Sequence, residues 1–403
     1  MRKPLMTLLG AAAALGLAIV RPYPVVIEAR AQEKATELRQ LDRFIAAYAR
    51  IQAGYVDRLD QSELIDAAIK GMLSVLDSQS EYFDWKLFRD MQVTHSLGPA
   101  GLGIETIRDK GRVKVIAPID DTGAARAGVR PNDIITHIDG IPVEGLTPHV
   151  RFFEKTRGQV DTTVRLTILR EGDDKPLELT LVRKMLRLNS VRVHRDGDDI
   201  GYIRIPLINE WTMQAFVKAV RELVSELPAD KLKGYVLDLR NTPSTAVDSA
   251  VALADAFLEE GEIISIRGRT SDQVEHFNAH PGDIINGKPL VVLINGGTAS
   301  AAEIVAAALQ ENKRATVIGT RSFGRGSTQT IVPLGARSGA LRLTTGRYFT
   351  PAGRSFDGAG IVPDIEVLQD VSATQENDKM LTFAYELLRA APANPVLPPN
   401  QKG

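Results

Sequence analysis

Three hydrophobic rhythms follow one another along the chain, and each change of rhythm marks a change of architecture. From residue 33 to 88 apolar positions return every three or four residues, and Leu41, Phe44, Ile45, Tyr48 and Ile51 fall on one helical face. A second helix is predicted over 63–73, capped by Ser62 and carrying the stripe Ile65, Ile69, Met72 and Leu73. Between 96 and 184 the period shortens to two: the spans 113–116, 134–138 and 164–169 alternate and are separated by Gly, Asp and Pro turns, which predicts a compact β-rich module. After Arg183 strands and helices take turns. Spans 200–205, 234–239 and 290–294 read as strands, and 213–227, 247–258 and 300–310 as helices. The wholly apolar strand 290–294 predicts a mostly parallel sheet covered on both faces. A last helix is expected over 378–390, and 392–403, rich in Pro and Asn, reads as a disordered tail. The expected class is α+β multidomain: a helical N-terminal subdomain (33–93), a β-rich module (94–184), an α/β core (185–370), a C-terminal helix (371–391) and the tail.

Composition narrows the function classes. With 403 residues, 44% hydrophobic and 25% charged, the chain is long enough for two or three folded domains. The net charge of -1, from 49 basic and 50 acidic residues, supplies no field for nucleic acid or an anionic membrane surface. The absence of cysteine excludes thiolate zinc sites, disulfides, a cysteine nucleophile and an acylated N-terminal cysteine. The N-terminus addresses compartment: Met1-Arg2-Lys3 is basic, residues 5–20 are apolar, and Ala29-Arg30-Ala31 offers small residues for cleavage before Gln32. This is the shape of an export signal, so the expected location is the periplasm or cell envelope. Left uncleaved, the same segment is a membrane anchor, although it is short of the roughly 20 apolar residues a spanning helix needs.

Candidate chemistry lies in two places. In the β-rich module Gly101-Leu102-Gly103-Ile104 is followed by Gly128-Val129-Arg130-Pro131-Asn132-Asp133 and by Asp139-Gly140. These segments, in this order, resemble a PDZ domain. The resemblance implies that 101–104 present backbone N–H groups to the terminal carboxylate of a peptide that adds as a strand to the sheet edge. In the core, strand 291–294 ends in Asn295-Gly296-Gly297 and a helix opens at Ser300. A hydroxyl there sits at the carboxyl edge of the sheet beside N–H groups able to hold an oxyanion. The plainer role for Ser300 or Thr298 is to cap the helix.

Asn295-Gly296-Gly297-Thr298-Ala299-Ser300-Ala301-Ala302-Glu303-Ile304 resembles the nucleophile segment of the C-terminal processing (tail-specific) serine peptidases. Ser322-Phe323-Gly324-Arg325-Gly326-Ser327-Thr328-Gln329 resembles their second catalytic segment, and Gly360-Ile361-Val362-Pro363-Asp364 their C-terminal signature. The likeness runs from about Tyr55 to Ile365 and implies a Ser/Lys endopeptidase that engages apolar tails of unfolded proteins. It assigns Ser300 as nucleophile and Gln329 as the residue that orients the base. The lysine position falls on Arg325, four residues before Gln329. A guanidinium keeps its proton and makes a poor general base, though it suits an oxyanion or a carboxylate. A second departure is Asp238-Leu239-Arg240-Asn241-Thr242-Pro243-Ser244-Thr245, where the family's segment carries two glycines at the places of Ser244 and Thr245. Asn241, Ser244, Thr245 and Gly297 are the oxyanion-loop candidates. His95, His137, His149, His194, His276 and His280 adjoin neither segment, and Lys313 reads as a solvated charge at the far end of the helix. His276 and His280 read as a surface loop; no metal, cofactor or nucleic acid is expected, and an oligomer stays open. Two readings follow: an exported peptidase cleaving at Ser300, or a catalytically silent relative that keeps the PDZ module and core as a binding or regulatory protein.

Overall fold

The computed structural model describes residues 24–94, 100–143, 152, 155–185, 190–228, 230–368 and 378–390. The apolar run 5–20, His95, His149 and the tail 392–403 therefore lie outside the described residues. Helix α1 (Pro24–Gly54) runs continuously through the expected cleavage point, and its stripe of Leu41, Phe44, Ile45 and Ile51 is exposed. Among the described residues no helix is long and apolar enough to cross a membrane. Helix α2 (Gln61–Leu73) begins earlier than predicted, because Asp60 and not Ser62 is its cap: Asp60 Oδ1 accepts the Ser62 N–H at 2.7 Å. The stretch expected to be helical also contains a strand, β1 (Glu81–Phe83), followed by α3 (Trp85–Thr94). Tyr82 and Phe83 favour extended backbone, and β1 pairs with a distant strand, Glu81 opposite Arg342.

The PDZ-like module is an antiparallel sheet. Its strands are β2 (Ala100–Gly101), β3 (Ile104–Asp109), β4 (Arg112–Pro118), β5 (Ile134–Ile138), β6 (Ile141–Pro142), β7 (Thr163–Leu169), β8 (Leu177–Val182) and β9 (Lys184–Met185), with a short helix α4 (Gly123–Arg126) after β4. The order β3-β4-β5-β7-β8 leaves β3 at an edge, and β2 pairs with β9 where the chain enters and leaves the module. Val113, Val115, Ile135, Val164, Leu166 and Ile168 point inward at period two and form its core.

The α/β core carries β10 (Arg192–Asp196), β11 (Ile200–Arg204), helix α5 (Thr212–Glu226), β12 (Gly234–Asp238), β13 (Pro243–Ser244), helix α6 (Val247–Asp255), β14 (Glu262–Arg267), β15 (Val274–Asn278), β16 (Leu290–Ile294), β17 (Ala299–Ser300), helix α7 (Ala301–Glu311) and β18 (Thr316–Gly319). Then come β19 (Ser327–Pro333), β20 (Ala340–Phe349), β21 (Ile365–Glu366) and helix α8 (Lys379–Ala390). The central sheet has the order β10-β11-β12-β16-β18-β21, parallel throughout except for β10. Alternate residues of one strand serve opposite faces. Leu290, Val292 and Ile294 pack with α5, α6 and α7, while Val291 and Leu293 pack with Met380, Ala384 and Leu388 of α8. A second, antiparallel sheet (β1, β20, β14, β15, with β19 beside β20) was not apparent from the pattern, because its strands are short or polar on one face.

The module is seated on the core by charge. Arg204 places Nε and Nη2 each 3.0 Å from the two carboxylate oxygens of Asp120, and its Nη1 donates to Ile205 O, Asp238 O and Thr242 Oγ1. Arg192 pairs with the neighbouring Asp121.

Candidate active site

Parallel strands that end on one edge present their following loops together, and here the edge gathers the loops after β12, β16 and β18. The loop after β16 turns through Asn295, Gly296 and Gly297 and delivers Ser300 to the start of α7. Ser300 is 2% exposed and has φ 53° and ψ -107°, a conformation that strains any residue with a Cβ by roughly 1–3 kcal/mol. Thr298 is not a cap. Its hydroxyl donates to Leu239 O at 2.8 Å and accepts the Asn295 N–H at 3.0 Å, which ties the loop to the end of β12.

What holds Ser300 in its strained pose is Glu303, three residues into the helix and fully buried. Its Oε2 accepts the Ser300 N–H at 2.7 Å and the Arg325 N–H at 2.9 Å. Its Oε1 accepts the Gly324 N–H at 2.7 Å and the Ser322 hydroxyl. One carboxylate thereby joins the two predicted catalytic segments. Burial pushes the Glu303 carboxyl up to about 7, against the hydrogen bonds from Ser322, Ser300, Arg325 and Gly324, which favour its charged form. The motif Ser300-x-x-Glu303 is a capping-box spacing, the signal by which sequence reasoning could have found this residue.

Arg325 and Ser300 are thus brought to one carboxylate oxygen through their backbones. The Arg325 side chain is 17% exposed, its Nε is buried without a hydrogen-bond partner, and its Nη1 lies 3.9 Å from Glu105 Oε1 on β3 of the PDZ-like module. Burial raises the Glu105 carboxyl above its ordinary value, and the Arg325 charge opposes that rise. Gln329 stands at a bulge in β19, where its Nε2 donates to Ser327 Oγ at 3.1 Å and Thr344 Oγ1 at 3.4 Å. Both of these bonds go to hydroxyls and neither reaches Arg325.

Of the oxyanion-loop candidates, two have their N–H groups committed: Asn241 N donates to Asn295 Oδ1 at 2.8 Å and Gly297 N to the same oxygen at 3.0 Å. Asn295, which sequence reasoning passed over, is the clamp of this turn, and its Nδ2 also donates to Asn241 Oδ1. Ser244 lies beside Ser300 through the parallel β13–β17 pairing, with its hydroxyl bonded to Ile208 O, and Thr245 is exposed. Neither Ser244 nor Thr245 has positive φ, so the loop has settled into a conformation that tolerates a Cβ.

Gly101 ends β2, Leu102 is buried in the module core, Gly103 takes φ 76°, and Ile104 opens the edge strand β3. A Cβ on Gly103 would lie 2.2 Å from Thr122, so glycine is required there. The same module faces Ser300: Ile107 and Ile116 pack with Ala299 and Phe323, and Lys114 Nζ lies 5.1 Å from the centre of the Phe323 ring. The described histidines stand elsewhere. His137 bonds Thr136 on β5, His194 stacks on Tyr202, and His276 and His280 pair with Glu262 and Asp255 respectively. His276 sits on β15, a correction to the loop expected there: residues 274–278 pair along β14 despite their polarity. Lys313 is exposed just past α7.

Comparison with known proteins bears on this geometry. Residues 199–367 match the model of peptidase family S41, 100–181 that of a PDZ domain, and 23–86 that of the activating protease CtpB N-terminal domain. The carboxy-terminal-processing protease of Bartonella bacilliformis is 47% identical over 331 residues, covering 82% of this chain and 76% of that one. The chain belongs to peptidase family S41. Within S41 it is also similar to the carboxy-terminal processing protease CtpB of Bacillus subtilis, at 30% identity over 87% of this chain and 72% of that protein. The solved photosystem II D1 C-terminal processing protease shares the S41 fold with a TM-score of 0.70 and 26% identity, over 83% of this chain and 95% of that one.

Proposed function

We propose that this S41 chain is an exported protein that binds the C-terminal tails of unfolded or tail-bearing proteins through its PDZ-like module, and that its Ser300 site is catalytically silent. The observation that carries the silent reading is Arg325. A Ser/Lys mechanism needs a group beside the serine that gives up and regains a proton, and a guanidinium does not do so near neutral pH. Tail binding is supported by the position of β3 at the end of its sheet, paired on one side only among the described residues, and by the left-handed Gly103 at its start, the arrangement in which a peptide adds as a strand and its carboxylate meets backbone N–H groups. Export is supported by the basic and apolar N-terminal sequence. The mature protein recovered from the cell envelope should begin at Gln32; a chain retaining Met1 in the membrane fraction would instead mark the segment as an anchor.

A second reading, an active serine peptidase with Ser300 as nucleophile, is favoured by one feature. Ser300 is kept in a strained conformation, the kind of backbone outlier that clusters at functional sites. The test is digestion of an unfolded protein with an apolar C-terminus by the 32–403 chain and by its Ser300→Ala and Arg325→Lys variants. The expected result is no cleavage by the first two and a measurable gain with Arg325→Lys. Cleavage by the unaltered chain that vanishes in Ser300→Ala would sink the silent reading.

A further inference from the structure

We propose that Arg325 makes the site beside Ser300 a receptor for a free peptide carboxylate, the C-terminal end of a polypeptide, and that Glu105 and Ile107 of β3 hold that place when no tail is bound. The proposal rests on the silent reading of the site and gives the substituted arginine a task. The Arg325 backbone is fixed beside Ser300, since both N–H groups share Glu303 Oε2. A guanidinium presents its N–H groups as a planar fork and is best satisfied by a carboxylate that takes two parallel bonds on one edge. Arg325 has no such partner among the described residues: Nε is buried and unbonded, and Glu105 stands off at 3.9 Å, beyond hydrogen-bond length. A lysine ammonium, as a point charge, would leave no comparable unfilled edge.

The class of ligand follows from what now stands beside Arg325 and Ala299. Glu105 brings a carboxylate to Arg325, and Ile107, two residues on, packs on Ala299 and Phe323. A carboxylate next to an apolar side chain is also the chemistry of an apolar C-terminus. The surroundings are cationic: Arg342 is close enough for the Arg325 charge to add to the effect of burial in lowering its proton affinity, and Lys114 lies over Phe323. Arg342 is already matched by Glu81 at 2.8 Å, so an incoming carboxylate has Arg325 as its open partner. Binding makes and breaks no covalent bond; it requires β3 to yield Glu105 and Ile107 to solvent or to the tail.

The experiment is calorimetric titration of the full chain, in a Ser300→Ala background that excludes turnover, with an apolar-ended heptapeptide as free acid and as C-terminal amide. The free acid should fill two sites per chain, one in the module groove and one at Arg325, and the amide should bind each at least about tenfold more weakly. Arg325→Gln should remove one site. Glu105→Gln should tighten that same site about three- to tenfold by removing the resident competitor, a gain that misfolding cannot imitate. One site unchanged by both substitutions overturns the receptor and leaves groove binding standing. One site that both substitutions move keeps the receptor and overturns the groove. Equal displacement by millimolar acetate would mark a simple anion site and overturn the assignment to a peptide end.

Discussion

Glu303→Gln is expected to destabilise the fold by about 2–4 kcal/mol and to release Ser300 from its strained backbone, because a buried carboxyl group whose two oxygens can both accept, ionised or protonated, is replaced by an amide with a single accepting atom. The two carboxylate oxygens of Glu303 receive the N–H groups of Ser300, Gly324 and Arg325 and the hydroxyl of Ser322. An amide satisfies one pair and turns its NH2 against the other, whichever way it is placed. The same residue sets a pH dependence. Its carboxyl rises from an ordinary 4.5 to about 7 in the folded protein, so the native state binds the proton more tightly than the unfolded chain. A carboxyl raised in this way contributes stability that is complete below about 4.5 and is lost as pH rises through about 7, a difference of about 3 kcal/mol by linkage. Urea unfolding of the unaltered chain should therefore show stability declining between pH 5 and 7, and Glu303→Gln, which cannot titrate, should flatten that slope. Parallel slopes for the two proteins would show that Glu303 is already ionised at pH 5.

The residues that sequence reading located most surely are those whose physics is local. Strand 290–294 was legible because five consecutive apolar residues between turn signals have few other uses, and the position of Ser300 followed from the Gly-rich turn and the helix behind it. The helices around the core fell within a few residues of their expected ends, since each carries one apolar face. What escaped were residues defined by partners far away in the chain. Tyr82 and Phe83 favour extended backbone, but two aromatic residues are too short a signal to predict a strand, and the pairing that makes one lies beyond residue 339. Asn295 and Glu303 read as a turn residue and a helical acid, yet each organises a loop through several backbone N–H groups supplied by other segments. Glu105 was not singled out by the sequence at all. That it stands against Arg325 is a property of how two folded parts meet, which periodicity does not encode.

Asp238→Ala is expected to be the most damaging single change, costing about 3–5 kcal/mol, because it leaves buried cations without their counter-charge. Asp238 ends β12 and is 1% exposed. Its Oδ2 accepts the Tyr202 hydroxyl at 2.8 Å and Arg240 Nη2 at 2.6 Å, and its Oδ1 accepts Arg240 N and Nε at 3.0 Å. Arg240 continues to Asp378 at the start of α8, while Arg204, whose charge also acts on Asp238, continues to Asp120 of the PDZ-like module. The network is therefore the joint at which helix, sheet and module meet. Burial pushes the Asp238 carboxyl up, but Arg240 and Arg204 overcome it and hold it at about 2. A carboxyl depressed in this way contributes stability above its unfolded value near 3.8 and loses it as pH falls through about 2. The acid limb contributed by Asp238 should accordingly fall between pH 4 and 2, opposite in direction to the Glu303 limb. A double-mutant cycle separates charge from packing. If the loss comes from stranded cations, Asp238→Ala combined with Arg240→Ala should cost less than the two single changes added together, since the second removes a charge that the first left unmatched. Strict additivity would mean that the two residues stabilise the joint independently, and that its strength lies in the packing of α8 on the sheet.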